Sequence, residues 1–138
     1  MRKMRDVMSL ASVRMAPGDS VSAAAQAMKR YGVGTVLVLT VGRLGGLVAD
    51  RDITVRVLAE DHDPRTTRIG EICRRDLVVL GPDDDVTHAA RLIRERAVRR
   101  IPVRADGIPV GVVSIGDLAL EKDATSVPPG VSSAAPNS

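Results

Sequence analysis

Aromatic side chains are nearly absent from this 138-residue chain, which has no Phe, no Trp and a single tyrosine, Tyr31. Proteins that bind single-stranded nucleic acid without sequence preference stack successive bases on aromatic rings. The composition therefore almost excludes that mode of binding. A core without Phe or Trp must be built from Val, Leu, Ile, Ala and Met.

Cysteine and long apolar runs are also scarce. The only cysteine, Cys73, excludes an intramolecular disulfide framework and is typical of a reducing compartment. We interpret it as a small buried hydrophobe rather than a reactive thiol. The best apolar run, residues 35–41, cannot extend past Arg43 and falls well short of the roughly 20 residues that span a bilayer. Because Asp6 and Arg14 also break any signal-peptide core, we expect a cytoplasmic protein.

Lysine is rare among the positive side chains, which are mostly arginine, and the formal net charge is +3. Guanidinium forks match phosphate oxygens, so this bias is compatible with phosphate recognition. Basic residues interleaved with acidic ones, as in residues 91–100, more often form a solvated helical face. A nucleic-acid-binding protein that uses arginine-rich faces therefore remains an alternative, although nucleic acid is not the expected partner.

What the chain does contain is an internal repeat with a shift of 65 residues and no gap. Four pairs of identical residues fix the register: Pro17 and Pro82, Gly42 and Gly107, Gly46 and Gly111, and Asp52 and Asp117. Self-similarity at a fixed period indicates a duplicated supersecondary unit. Because a copy of roughly 55 residues would bury only about 60% of its unfolded surface alone, the two copies should share one core.

Each copy predicts the same elements in the same order. Apolar residues spaced i, i+3, i+4 and i+7 indicate an amphipathic helix in both copies. These stripes are Val21, Ala24, Ala25 and Met28, then Val86, Ala89, Ala90 and Ile93. In the first copy Asp19 is the predicted N-cap and Gly32 the predicted stop.

A hairpin should follow each helix. The strands are predicted at 35–40 and 44–49, then at 100–104 and 108–114, because Val-Gly and Asp-Gly pairs separate β-rich runs. A first strand is predicted at 12–15 and at 77–80, and a second helix at 50–59 and at 115–122.

The domain boundaries are 1–61 for repeat 1, 62–68 for a linker and 69–123 for repeat 2. Residues 124–138 are rich in Pro and Ser without charge, so we expect a disordered tail.

The end of the second hairpin is the strongest candidate for chemistry. At residues 111–118 a strand runs directly into a helix, whose free N–H groups and dipole favour an anion. Ser114 adds a hydroxyl for a phosphate, and Asp117, on the same helical face, is a carboxylate that can accept from two vicinal ribose hydroxyls. The alternative is that Ser114 only caps the helix and Asp117 is an acid favoured by the dipole. The local pattern leaves both open.

The repeat, its helix stripes and the Gly-x-x-Ser-x-x-Asp junction together resemble the CBS domain. The two copies in tandem resemble a Bateman module. The segments that carry the resemblance are 4–8, 46–53, 69–73, 98–103 and 114–118, within residues 4–122. The resemblance implies a stand-alone bacterial protein with an α/β (α+β) fold. Its two tandem β-α-β-β-α repeats would pack with pseudo-two-fold symmetry. It also implies a homodimer in which two chains pair into a flat disc.

The resemblance further implies a regulatory module that binds AMP, ADP, ATP or S-adenosylmethionine in clefts between the copies. In that family a Ser or Thr contacts phosphate, an Asp contacts the ribose diol, and backbone beside the base reads adenine. In the second copy the implied positions are Ser114 and Asp117, with Val79, Arg100, Ile101 and Pro102 near the base or phosphates. In the first copy they are Asp52, Arg51, Arg14, Thr35 and Val36.

The two copies differ at the decisive positions. Ala49 occupies the place of Ser114, and Leu37 the place of Pro102. Pro102 lacks an N–H and so interrupts the sheet ladder where a base can meet backbone. Because Ala49 has no phosphate-facing hydroxyl, we predict that the second-copy site fills first, with Arg51 as a partial substitute in the first.

Motifs for catalysis and metal binding are missing from the sequence. There is no P-loop, and no nucleophile, base and orienting group stand out. His62 and His88 have no Cys or His companions at ligand spacing, so we expect no metal site. We therefore expect binding without turnover, no required cofactor and no membrane association. The regulated protein is unknown, and a structural adaptor that works without ligand is a second alternative.

Overall fold

The computed structural model describes residues 2–9 and 13–118, which form mixed helices and strands in an α+β fold. Two compact units are present. One is Ser12–Leu77, and the other combines the described parts of Met1–Ala11 and Val78–Ser138. We name them the Asp52 unit and the Asp117 unit after their repeated aspartates. The predicted tail at 124–138 lies outside the described residues.

The elements follow the repeat. In chain order they are α1 (Met4–Val7), β1 (Val13–Met15), α2 (Val21–Tyr31), β2 (Thr35–Thr40), β3 (Arg43–Ala49), α3 (Asp50–Ile53), a π-helical segment (Thr54–Leu58), α4 (Ile69–Ile72), α5 (Val86–Arg96), β4 (Arg100–Ala105) and β5 (Ile108–Ser114). Residues 115–118 are helical and begin the predicted second helix of the second copy. The part of that prediction beyond residue 118 falls outside the described residues.

The Asp52 unit contains a three-stranded sheet in the order β1-β2-β3, with β1 parallel and β3 antiparallel to β2. Helix α2 buries its apolar stripe on this sheet, although Ala25 of the predicted stripe is exposed. The buried core consists of Val21, Ala24, Met28, Val36, Val38, Val48, Val57, Ile69, Ile72 and Cys73. Val, Ile, Ala, Met and Cys73 thus form this core without an aromatic ring.

The Asp117 unit has a two-stranded antiparallel sheet, β4-β5. The predicted strand at 77–80 is not formed, and only Leu80 makes a parallel bridge, to Val103. Its N–H donates to the Pro102 carbonyl at 3.2 Å, and its carbonyl accepts from the Arg104 N–H at 2.8 Å. Pro102 has no N–H to extend this ladder, whereas Leu37 has one at the same repeat position. The pairing therefore stops at a single bridge.

Both predicted hairpins are confirmed, and their turns share one geometry. Val41 and Gly42 have φ of 51° and 76°, and Asp106 and Gly107 have φ of 54° and 81°. Positive φ at both central residues defines a type I′ turn, whose twist matches that of the flanking strands. A bulge follows Val38 in one hairpin and Val103 in the other. The duplication is therefore preserved even in the irregular features of the sheet.

The helix caps correct one prediction. The Ser20 hydroxyl, rather than Asp19, caps α2 by accepting the Ala23 N–H at 3.0 Å. Asp19 instead accepts the Ala16 N–H at 2.9 Å, because its short side chain closes the preceding turn. The predicted stop at Gly32 is confirmed, with φ of 65° in the left-handed region.

The short leading helices are exchanged between the copies. Helix α1 lies at the start of repeat 1 but packs in the Asp117 unit, and α4 lies at the start of repeat 2 but packs in the Asp52 unit. Antiparallel backbone bridges follow them at equivalent positions, between Ser9 and Val112 and between Arg74 and Leu47. Each hairpin is therefore contacted by the leading segment of the other copy, so the compact units do not coincide with the sequence repeats.

This close contact explains a repeated glycine. A Cβ on Gly46 would lie 2.8 Å from the Cys73 Sγ and 3.1 Å from the Arg74 carbonyl oxygen. We expect Gly46→Ala to lower the free energy of unfolding by roughly 1–3 kcal/mol, as overpacking does. Urea denaturation measures the change.

Gly45 provides the matched control for that substitution. A Cβ there would meet the Thr40 Oγ1 and the Val38 carbonyl only at 3.4 and 3.6 Å, which are ordinary contacts. We expect Gly45→Ala to change the stability by no more than about 0.5 kcal/mol. Equal losses in the two variants would contradict the close approach of Cys73 and Arg74 to β3.

Candidate functional site

Ser114 and Asp117 form a reciprocal pair of hydrogen bonds at the end of β5. The Ser114 N–H donates to the Asp117 Oδ2 at 2.8 Å, and the Asp117 N–H donates to the Ser114 Oγ at 3.1 Å. This is the geometry of a capping box, so the capping interpretation of Ser114 is confirmed. The hydroxyl keeps its own proton to donate, and the carboxylate keeps further lone pairs. Capping is therefore compatible with ligand binding by the same two side chains.

Other predicted residues of the second copy lie at the same end of this hairpin. Arg100 begins β4 as the register partner of Ser114. Val79 directly precedes Leu80, which bonds to the Pro102 carbonyl. The Ile101 side chain is fully buried in the core, so only its backbone remains available to a ligand. The structure thus brings the predicted second-copy residues of the Asp117 unit together.

The Asp52 side chain differs from that of Asp117 in its burial and in its charged partners. Its side chain is 1% exposed, and its Oδ2 accepts the Ala49 N–H at 2.8 Å. Its Oδ1 accepts from the Arg74 Nε at 2.9 Å, and the Arg56 Nε lies 3.9 Å away. Ala49 has no hydroxyl to complete a capping box. The buried Asp52 carboxylate is therefore held in an ion pair with Arg74, whose own side chain is 47% exposed.

Sequence reasoning did not identify Arg74 or Arg56 as parts of this arrangement. Arg56 follows Asp52 by four residues, a spacing at which helical side chains meet. Arg74 lies at the repeat position of Ser9, so a comparison of the two copies shows a charged residue in place of a small one. Those two signals were the only ones available.

The remaining first-copy residues are divided between core and surface. Val36 is fully buried, whereas Arg14 and Arg51 are exposed. Thr35 pairs in register with Ala49, and its buried Oγ1 has no hydrogen-bond partner among the described residues. At this paired position the Asp52 unit has a hydroxyl on β2, that of Thr35, whereas the Asp117 unit has a hydroxyl on β5, that of Ser114.

Cys73 is buried, as expected. The Arg75 guanidinium donates to its Sγ at 3.0 Å.

Within residues 2–9 and 13–118, no three or more His, Cys, Asp or Glu side chains are grouped to hold a metal ion. In the same residues no helix is both long and apolar enough to cross a membrane.

Comparisons with known proteins agree with this fold. The family model described as CBS domain matches residues 69–123. The CBS domain-containing protein YhcV of Bacillus subtilis is 31% identical over 122 residues, which cover 88% of this chain and 86% of YhcV. Hypoxic response protein 1 of Mycobacterium tuberculosis is 30% identical over 120 residues, which cover 86% of this chain and 84% of that protein.

Solved structures show the same architecture. The crystal structure of Hypoxic Response Protein I with two coordinated zinc ions matches with a TM-score of 0.77 at 30% identity, over 88% of this chain and 99% of that chain. The CBS domain pair of protein MJ0100, in complex with 5′-methylthioadenosine and S-adenosylmethionine, matches with a TM-score of 0.81 at 22% identity, over 91% and 99% of the two chains. Sequence identity over most of both chains, together with the duplicated fold, shows that this protein belongs to the CBS-domain family.

Proposed function

We propose that this protein is a regulatory module that binds an adenosyl ligand through Ser114 and Asp117. The observation that carries the proposal is their reciprocal hydrogen bonding, which fixes a hydroxyl and a half-buried carboxylate at a strand-to-helix junction. The Asp117 carboxylate accepts from the two ribose hydroxyls. The Ser114 hydroxyl contacts the group attached to the 5′ carbon of the ribose.

The interrupted ladder beside Pro102 supports an adenine position. In the described structure Val78 and Val79 lack the strand pairing that Val13 and Arg14 have in the Asp52 unit. Backbone polar groups that are not paired within a sheet need another partner. The edge of an adenine base carries donors and acceptors that match such groups, so the base lies beside Val79.

Binding transmits a signal only if the ligand has different affinities for two arrangements of the protein. We propose that such a difference alters contacts with a second copy of this chain or with a regulated protein. Catalysis plays no part in this role. The same role is compatible with the family to which the chain belongs.

A thermal-shift panel tests the proposal. AMP, ADP, ATP, S-adenosylmethionine and 5′-methylthioadenosine are compared with GMP and GTP. At 100 times its dissociation constant a ligand stabilises the folded state by about 2.7 kcal/mol. For a chain of this length the expected rise in the melting temperature is at least about 5 °C.

The panel includes a control for the ribose contact. A 2′-deoxy analogue of each active nucleotide lacks one hydroxyl of the diol, so we expect it to give a clearly smaller shift. A panel in which no adenosyl compound raises the melting temperature contradicts the proposal. Equal shifts with guanosine nucleotides would contradict the assignment to adenosyl ligands.

A further inference from the structure

We propose that Arg74 prevents adenosyl ligands from binding at Asp52, so that each chain binds one ligand, at Asp117. This inference rests on the proposed function and names the residue that makes the two sites unequal. Its basis is the ion pair between the buried Asp52 carboxylate and the partly exposed Arg74, whose Nε donates to the Asp52 Oδ1 at 2.9 Å. Arg74 occupies the carboxylate that a ribose diol would need.

Both oxygens of Asp52 are engaged within the protein. The Oδ2 accepts the Ala49 N–H at 2.8 Å, and the Oδ1 faces Arg74, with the Arg56 Nε at 3.9 Å on the same oxygen. A ribose diol is neutral. If it displaced Arg74, it would leave the charge of a carboxylate that is 1% exposed with a weaker partner. The ion pair is therefore the favoured state of this carboxylate.

The backbone holds Arg74 in this position. Its N–H donates to the Leu47 carbonyl at 2.9 Å, and its carbonyl accepts the Leu47 N–H at 3.0 Å. The equivalent segment of the other copy places Ser9 against Val112 by the same two bonds, at 2.8 and 3.0 Å. One backbone arrangement thus presents an arginine in one unit and a serine in the other, and only the arginine is long and charged enough to pair with the repeated aspartate.

The test is the number of ligands that each chain binds, measured by calorimetric titration with AMP and with S-adenosylmethionine. We expect the wild type to bind one and Arg74→Ser, which copies the equivalent Ser9, to bind two. Adding Asp52→Asn to that variant should return the number to one, because the new site needs the freed carboxylate.

Arg75→Ser is the matched control. The Arg75 guanidinium donates to the Cys73 Sγ at 3.0 Å and to the Gly70 carbonyl at 2.7 Å. The substitution removes the same charge from the same segment as Arg74→Ser does. We expect this variant to bind one ligand. Arg74→Gln serves as a second variant if Arg74→Ser does not fold, because its longer amide side chain retains N–H donors near Asp52 without the charge. We expect it to bind two ligands as well, because a neutral diol can replace a neutral amide on Asp52.

The outcomes separate the two proposals. If the wild type and a folded Arg74 variant each bind one ligand through Asp117, the proposed role of Arg74 is overturned and the proposed function stands. If the wild type already binds two ligands, the role of Arg74 is overturned as well. If neither the wild type nor any folded variant binds a compound of the panel, the proposed function itself is contradicted.

Discussion

Asp117→Asn is expected to weaken adenosyl-ligand binding by about 100-fold. The two ribose hydroxyls donate to a charged carboxylate in our proposal, and a hydrogen bond to a charged group contributes about 1.5–3 kcal/mol. The amide oxygen that accepts the Ser114 N–H keeps one lone pair for a ribose hydroxyl, so the loss corresponds to roughly 2.7 kcal/mol, or two factors of ten in the dissociation constant. Calorimetric titration with the most strongly stabilising compound of the panel measures it.

The substitution is chosen to leave the helix start intact. An Asn oxygen can still accept the Ser114 N–H, which the Asp117 Oδ2 accepts at 2.8 Å in the wild type. Asp106→Asn, in the exposed hairpin turn of the same unit, removes the same charge and suits a residue with φ of 54°. We expect Asp106→Asn to bind as the wild type does. Unchanged affinity in Asp117→Asn would rule out the assigned ribose contact.

Met4→Ala is expected to lower the free energy of unfolding by about 2–5 kcal/mol, although the residue is close to the start of the chain. The Met4 side chain is 0% exposed and belongs to the core of the Asp117 unit. Its backbone N–H also donates to the Asp84 carbonyl at 2.8 Å. The loss should appear in urea denaturation as a lower midpoint with a similar slope.

Arg5→Ala, one residue further along the same helix, is the control. The Arg5 side chain is exposed and pairs with Asp83 at the surface. Exposed ion pairs of this kind contribute about 0–1 kcal/mol. If Met4→Ala cost no more than Arg5→Ala, helix α1 would not be packed in the core as described.

Local rules predicted most of the fold. Helical periodicity identified α2 and α5, and the Val-Gly and Asp-Gly pairs predicted both turns, because these features depend on residues close together in sequence. Asp19 was wrong as a cap since two neighbouring side chains, Asp19 and Ser20, both suit that role. The strand at 77–80 was wrong because its pairing depends on Pro102, more than twenty positions away.

The exchange of the leading helices could not be read from the repeat. Two similar copies offer equivalent surfaces to Met4 and Ile69, so the sequence does not specify which helix packs on which hairpin. The structure resolves this through contacts between residues far apart along the chain. The exchange also brings Arg74 to Asp52, a contact that the comparison of the two copies did not predict.

At the candidate site, spacing alone predicted that the side chains of one pair of residues meet. Ser114 and Asp117 are three residues apart at a strand-to-helix junction, which is the spacing between the N-cap and N3 residues of a capping box. Asp52 has the same local spacing, yet the structure commits its carboxylate to Arg74. A carboxylate in a repeated motif therefore identifies an equivalent position, whereas its availability depends on a partner 22 residues away.

A crystal structure of the protein with the compound that raises its melting temperature most tests the central claim most directly. We predict one ligand per chain, with both ribose hydroxyls within hydrogen-bond distance of the Asp117 carboxylate. Arg74 should remain paired with Asp52 in the same crystal. A ligand whose ribose lies on Asp52, or away from both aspartates, would contradict the proposed site.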